Sequence, residues 1–331
     1  MKRLLVSLLV LSLAAPLVAW AEEVVVYSSR KEHLIKPLFE RFTADTGIEV
    51  TYLTDKAGPL IQRLMAEGRR SPADMLITVD AGNLWQAAEK GVLAAVDSPV
   101  LNANVPASLR DPDGRWYGLS KRARTIVYST ERAKPEEITT YEALAEPQWK
   151  GRLCLRTSKK VYNQSLVATL IARHGEQKAE QIVKGWVDNL AAAPFSNDTK
   201  TMEAVLAGQC DVAIVNTYYF GRLQKKQPDI KLALAWPNQQ TSGVHINVSG
   251  AGITKHAKHP EAARKLLEWL SSETAQGDFA GLNMEYPVNP QVQPTDLVKS
   301  WGDFVGDSLN VSEAGRLQAA AIRLMDRAGY R

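Results

Sequence analysis

Tyr218 and Tyr219 stand side by side in the run Asn216-Thr217-Tyr218-Tyr219, directly after the apolar, β-branched run Val212 to Val215. The pair therefore falls at a strand-to-helix junction, and in open α/β sheets ligands bind beyond the carboxyl ends of strands. Tyr162 follows a second short apolar run, Leu153 to Leu155, at the start of another helical stretch. Tyr27 closes the first such run, and Glu32 and His33 open the helix after it. Phenolate and carboxylate oxygens with one imidazole form a hard donor set, suited to a small, highly charged cation; soft metals ask for Cys or Met. Ferric iron is acidic enough to ionise phenols whose free pKa is about 10, and tyrosinate is a known haem-iron ligand. Taken alone, an aromatic pair at a strand end is more often packing than ligation. Successive side chains diverge in a regular strand, so both phenols can reach one ion only from a loop or a first helical turn.

The elements that must position these groups alternate. Val24 to Ser28, Ile48 to Leu53, Met75 to Val79, Thr125 to Ser129, Leu153 to Leu155, Val212 to Asn216 and Ile230 to Ala235 have the length and composition of buried strands. Between them Leu34, Leu38, Phe39 and Phe42 recur at helical spacing, as do Leu60, Leu64 and Met65. Ser165 to Ile171, Ala179 to Leu190 and Met202 to Leu206 continue the pattern, with Gly175 and Gly208 where helices should end. This alternation predicts parallel sheets flanked by helices. Towards the C-terminus helices dominate, at His259 to Leu270, Glu273 to Phe279 and Val311 to Met325. The expectation is an α/β protein of two lobes, of about 150 residues each, with the chain crossing between them more than once. A cleft between lobes is then a favoured binding site.

Lys2-Arg3, the apolar stretch Leu4 to Leu13 and the small-x-small site Ala19-Trp20-Ala21 are the three parts of a secretory signal, with cleavage expected after Ala21. The apolar stretch is too short to span a membrane, and no later one reaches about 18 residues. The mature chain is therefore expected to be a soluble exported protein. In an oxidising compartment Cys154 and Cys210, both at strand-like segments, are candidates for a disulfide, with two separately buried thiols as the alternative. Two cysteines are too few for a thiolate zinc site or an iron–sulfur cluster. Forty basic and 36 acidic residues give a formal charge of +4, and loss of Lys2 and Arg3 leaves +2. A nucleic-acid partner held by a basic face is not expected from that balance. Catalysis finds little support either: there is no G-x-S-x-G elbow, P-loop lysine or H-E-x-x-H, and no paired carboxylates at strand ends for acid–base work.

Longer tracts carry a resemblance. Val24 to Arg30, Pro72 to Gly82, Gly118 to Arg124 and Val215 to Phe220 are similar to the periplasmic ferric-iron-binding proteins of bacterial ABC importers. Tyr162-Asn163-Gln164-Ser165-Leu166, Ser249-Gly250-Ala251-Gly252 and Glu285-Tyr286-Pro287-Val288 match as well, so the resemblance covers nearly the whole mature chain in the family's order. It implies a type II periplasmic-binding fold, two α/β lobes hinged by crossing strands with an interlobe cleft. The N-terminal lobe is expected over 22–123 plus about 240–293, and the C-terminal lobe over about 124–239 plus 294–331. The implied cargo is Fe(3+), held by Tyr218 and Tyr219 and, as in a tyrosine-rich subgroup, by Tyr162.

The first loop departs from the family. Members carry His or His-Tyr after the tract matching Tyr27 to Arg30, whereas here Lys31 stands there, followed by Glu32 and His33. An ammonium offers no lone pair, which leaves Glu32 or His33 as candidate ligands; both are also ordinary residues for a first helical turn. The acidic ligand of some members aligns with Val79, beside Asp80. Without a first-loop ligand, water or a synergistic anion such as carbonate would complete the coordination. The resemblance implies that Arg122, or Arg124 two residues on, supports that anion, with Ser158 and Asn216 among its polar contacts; Asp198 replaces an expected neutral amide. The implied partner is an inner-membrane ABC permease with its ATPase, and the binding protein is expected to be a monomer. A carrier of a small anion or organic solute on the same fold, or an exported metal-dependent enzyme, are the competing readings.

Overall fold

The computed structural model describes residues 22–331; the expected signal segment and its cleavage point lie outside them. Eight strands carry the site: β1 (Glu23–Ser28), β2 (Glu49–Thr54), β3 (Met75–Thr78), β4 (Tyr117–Ser129), β5 (Leu153–Cys154), β6 (Val212–Asn216), β7 (Leu232–Ala235) and β8 (Ile246–Ile253). The long strand β4 organises them, because its partners change in mid-course. From Tyr117 to Ala123 it pairs with β8, and from Arg124 to Ser129 with β6 and β7. One sheet is therefore ordered β2-β1-β3-β8-β4 and the other β7-β4-β6-β5, with β4 shared between two lobes.

The sheets are mixed rather than parallel. β1 runs parallel to β2 and β3, and β5 parallel to β6, as helical crossovers require. β4 and β8 are antiparallel to all their neighbours. These are the strands at the lobe junction, and they carry the chain in opposite senses rather than looping back through a helix. Their close approach explains the small residues: a Cβ on Gly250 would lie 2.4 Å from the Tyr117 carbonyl oxygen. A third passage follows at Glu285 to Val288, where Tyr286 bridges Lys121.

Buried faces set each helix in place. In Glu32–Thr46 the residues Leu34, Ile35, Leu38, Phe39 and Phe42 face the first sheet, and Gly47 closes the helix at φ 74°. Val161–His174 buries Leu166, Val167, Ala168, Leu170 and Ile171, which leaves its N-terminal turn at the lobe junction. A separate apolar cluster in the second lobe gathers Val127, Met202, Val215, Phe220 and Trp301 around Cys154 and Cys210. Those cysteines are disulfide-bonded, with Cα atoms 5.9 Å apart. The helix expected over Val311 to Met325 divides into Glu313–Arg316 and Gln318–Arg327. At the break, Gly315 seats directly on Trp85, where a Cβ would meet the Trp85 side chain at 2.4 Å.

Candidate metal centre

The fully buried strand β6 delivers the tyrosine pair. Immediately after it the chain enters the helix Thr217–Lys226, so Tyr218 and Tyr219 occupy its first turn, and both line one cleft. Their centroids are 4.4 Å apart with the planes tilted by 36°. Tyr162 is the second residue of Val161–His174 and its phenol interacts directly with that of Tyr218. Three phenols from two helix N-termini thus converge, where partial positive charge favours an ionised oxygen.

They line a cleft of about 170 Å³. Arg122 and Val79 line it too, as do Ser29, Arg30, Lys31 and Leu34 of the first loop and the helix after it. Ser249, Asn283 and Glu285 complete the first-lobe side. Desolvation pushes the Tyr162 hydroxyl above its ordinary pKa, and the Arg122 guanidinium partly counters it. Tyr218 is pushed further, by burial first and then by its phenolic neighbours. Without a cation in the cleft both phenols stay protonated at neutral pH. A cation replacing these protons would meet phenolate oxygens on the cleft wall.

Cations surround the phenols. The Arg122 guanidinium carbon lies 5.5 Å from the Tyr162 ring centroid, and that of Arg156 lies 5.4 Å from Tyr162 and 5.9 Å from Tyr219. Arg222 covers Tyr218 at 5.2 Å and Tyr219 at 5.5 Å. Behind them acids balance charge. Asp80 caps the helix Ala81–Glu89, accepts from Ser165 and Asn247, and sits 3.8 Å from Arg122. Burial lifts its pKa to about 6 against the pull of Arg122. Arg30 donates to Glu285 at 2.9 Å, and that guanidinium holds the buried Glu285 carboxyl below its usual range despite desolvation.

The residues singled out in sequence fall into two groups. Tyr162, Tyr218, Tyr219 and Arg122 meet in the cleft, and Asn216 stands behind them, donating from Nδ2 to the Tyr218 hydroxyl at 3.2 Å. The rest lie elsewhere. Glu32 is exposed and accepts from the Tyr52 hydroxyl at 3.0 Å; His33 is exposed too, and neither lines the cleft. The first-loop wall is instead made by Ser29, Arg30 and Lys31. Arg124 is buried and engaged by Asn163, Asp198 and Asn216, so it is committed to the protein's interior. Asp198 faces Arg124 at 3.1 Å and Arg156 at 3.4 Å, which offsets the repulsion its charge would direct at an anion. Ser158 is half-buried and spends its backbone amide on the Arg331 carbonyl. His245 is buried against Thr169 rather than facing the cleft.

Sequence reasoning missed Arg222, Arg156 and Arg30. For Arg222 a signal existed: it lies three and four residues beyond the tyrosines on one helix, the spacing that stacks side chains. Arg30 and Glu285 are 255 residues apart, and only the fold joins them. Among the described residues no group of three or more His, Cys, Asp or Glu could hold a metal ion.

Residues 70–301 match the model of the family described as bacterial extracellular solute-binding protein. The chain is 44% identical to iron uptake protein A1 of Synechocystis sp., over 94% of this chain and 88% of that protein. It is 28% identical to the Fe(3+)-binding periplasmic protein of Serratia marcescens, over 88% of each chain. Among solved structures, Trichodesmium FutA in complex with iron and citrate ligands superposes with a TM-score of 0.91 at 44% identity, covering 93% of this chain and all of that one. Mannheimia haemolytica ferric iron-binding protein A in an open conformation gives 0.88 at 36% identity, over 94% and 99% of the two chains. With its two lobes arranged in the type II binding fold around a phenol-lined cleft, the chain belongs to the bacterial extracellular solute-binding protein family.

Proposed function

We propose that this chain is the periplasmic binding component of an ABC importer that captures Fe(3+) between its lobes and delivers it, as a monomer, to an inner-membrane permease powered by its ATPase. The observation that carries the reading is the convergence of Tyr162, Tyr218 and Tyr219 beside Arg122. Three phenolates match the charge of a ferric ion, and burial strengthens their attraction for it. Each phenol gives up a proton when the ion enters, so loading is coupled to pH and acid favours release. Iron-binding relatives at 44% identity over almost the whole chain support the cargo.

The coordination sphere follows from the wall opposite the phenols. Glu32 and His33 are exposed and Lys31 has no lone pair, so the first loop brings no carboxylate or imidazole to the cleft, only the Ser29 hydroxyl. Arg30, Lys31, Arg122 and Arg222 instead surround the cleft with positive charge. An anion such as carbonate, bridging the ion and Arg122, completes the sphere. Closure of the lobes buries ion and anion together.

The test is colour. Ferric loading of the mature protein should produce a visible tyrosinate-to-iron absorption band that disappears on treatment with citrate at low pH. Tyr218→Phe should remove most of that band while leaving the circular dichroism spectrum unchanged. A colourless loaded protein, or unaltered iron retention in Tyr218→Phe, would overturn the assignment.

A further inference from the structure

Lys121 and Arg122 are neighbours in β4, so their side chains leave opposite faces of the strand. Arg122 enters the iron cleft, whereas Lys121 lines a separate cavity of about 600 Å³ behind the hinge. That cavity is walled by both halves of the molecule. Ser108 and Leu109 come from the first lobe, Ile246 and Tyr286 from the crossing segments, and Val298 to Ser308 from a segment anchored on the second lobe. The anchor is the stacking of Phe304 on Trp236, at 4.4 Å between centroids.

Among the described residues two polar groups here have no hydrogen-bond or ion-pair partner. Lys121 is half-buried, desolvation lowers its pKa, and among the described residues no carboxylate forms an ion pair with it. Tyr286 is 7% exposed, and its hydroxyl finds no hydrogen-bond partner among the described residues. Of the other charged residues lining the cavity, Asp307 is already bound by Arg173, while Asp303 and Lys299 are exposed. An unpaired ammonium beside Phe304, Ile246 and the Tyr286 ring matches an anion with an apolar body.

We infer that the cavity behind the hinge is a second binding site, for a small organic carboxylate with an apolar body, whose occupancy is coupled to the arrangement of the lobes. Lys121 receives the carboxylate, and the Phe304 and Ile246 walls receive the body. Because first-lobe and second-lobe segments share the cavity, hinge bending changes its width, and a ligand that prefers one width biases the cleft. Coupling of this kind is reciprocal. The binding stands apart from the iron reading; the effect on cargo rests on it.

Calorimetric titration of the iron-free mature protein with benzoate tests the site. Saturable binding is expected, weakened at least tenfold by Lys121→Met and retained in Tyr218→Phe, with inorganic phosphate giving no comparable signal. Loss in Tyr218→Phe with retention in Lys121→Met would place benzoate in the iron cleft and overturn the proposal, as would the absence of binding. Equal binding of phosphate through Lys121 would overturn the ligand class. If Lys121→Met does not fold, Ser308→Trp, at an exposed edge of the cavity, should abolish benzoate binding by filling it; retained binding there refutes the site. Iron transfer to a hydroxamate chelator should then change at least threefold with benzoate in the native protein and not in Lys121→Met. An unchanged rate in both overturns the coupling. A protein that takes up no iron leaves the calorimetric result standing and fails the iron reading alone.

Discussion

Asn216 donates from Nδ2 to the Tyr218 hydroxyl at 3.2 Å, and its Oδ1 accepts from Arg124 at 3.1 Å. The amide is thereby fixed with its N–H towards the phenol oxygen, the orientation that favours a phenolate over a phenol. Asn216→Ala removes one hydrogen bond to an ionised group, worth about 1.5–3 kcal/mol. Iron affinity, measured by chelator competition, should fall by about one to two orders of magnitude, with the absorption band weakened and the fold intact. An unchanged affinity would make Asn216 a packing residue only.

Arg222 stacks over both tyrosines and donates to the Asn283 side chain across the cleft. It therefore ties the helix carrying two of the phenols to the opposing lobe. Arg222→Met keeps much of the side-chain volume and removes the tie. Cation–π contacts contribute about 0.5–2 kcal/mol, so iron release should accelerate by about threefold to thirtyfold. Stopped-flow loss of the visible band would measure it.

Two buried groups give opposite responses to acid. His245 packs its Nδ1 at 3.0 Å from the Thr169 hydroxyl, and burial, assisted by Arg124 and Arg122, pushes its pKa down to about 3. The unfolded chain protonates this histidine near 6.5, so its contribution is complete above that pH and is lost as pH falls towards 3. Asp80 has the reverse sign. Its pKa is raised to about 6 from 3.8, so the ionised form is a burden above pH 6 that is relieved as pH falls towards 3.8. A tenfold difference in proton affinity between the folded and unfolded chain corresponds to about 1.4 kcal/mol. Thermal melts of the iron-free protein between pH 7 and 4 should therefore show a shallower acid loss in His245→Gln and a steeper one in Asp80→Asn. Parallel curves for all three proteins would contradict this assignment.

The Cys154–Cys210 disulfide closes a separation of 56 residues within the second lobe. It ties β5 to the chain just ahead of β6, the strand that ends at Asn216. Cross-links of this span stabilise by about 2–5 kcal/mol, chiefly by restricting the unfolded chain. The double variant Cys154→Ser with Cys210→Ser should melt several degrees lower and still develop the iron band when folded. Equal melting temperatures in oxidised and reduced native protein would refute a stabilising role.

Much of the architecture was legible in the chain itself. Buried strands are short apolar runs, and helices carry their apolar residues on one face; both are local patterns. The placement of Tyr218 and Tyr219 in a first helical turn followed from the same logic, because the apolar run ends at Val215 and a polar, basic stretch succeeds it. Long-range relations left no such trace. Strand direction at β4 and β8 depends on which partners meet, and alternation alone suggested parallel sheets. Whether Glu32 and His33 face the cleft depends on the rotation of one helix about its axis. That rotation is fixed by Leu34, Ile35 and Leu38 packing on the first sheet, which turns Glu32 towards Tyr52. The fates of Arg122 and Arg124 diverged for a similar reason. Both leave the same face of β4, yet the partner strand changes between Ala123 and Arg124, so one guanidinium reaches the cleft and the other an interior carboxylate. Residue types named the chemistry because a hard cation needs oxygen donors; tertiary packing chose which donors and charges meet, because that is a matter of distances between segments far apart in the chain.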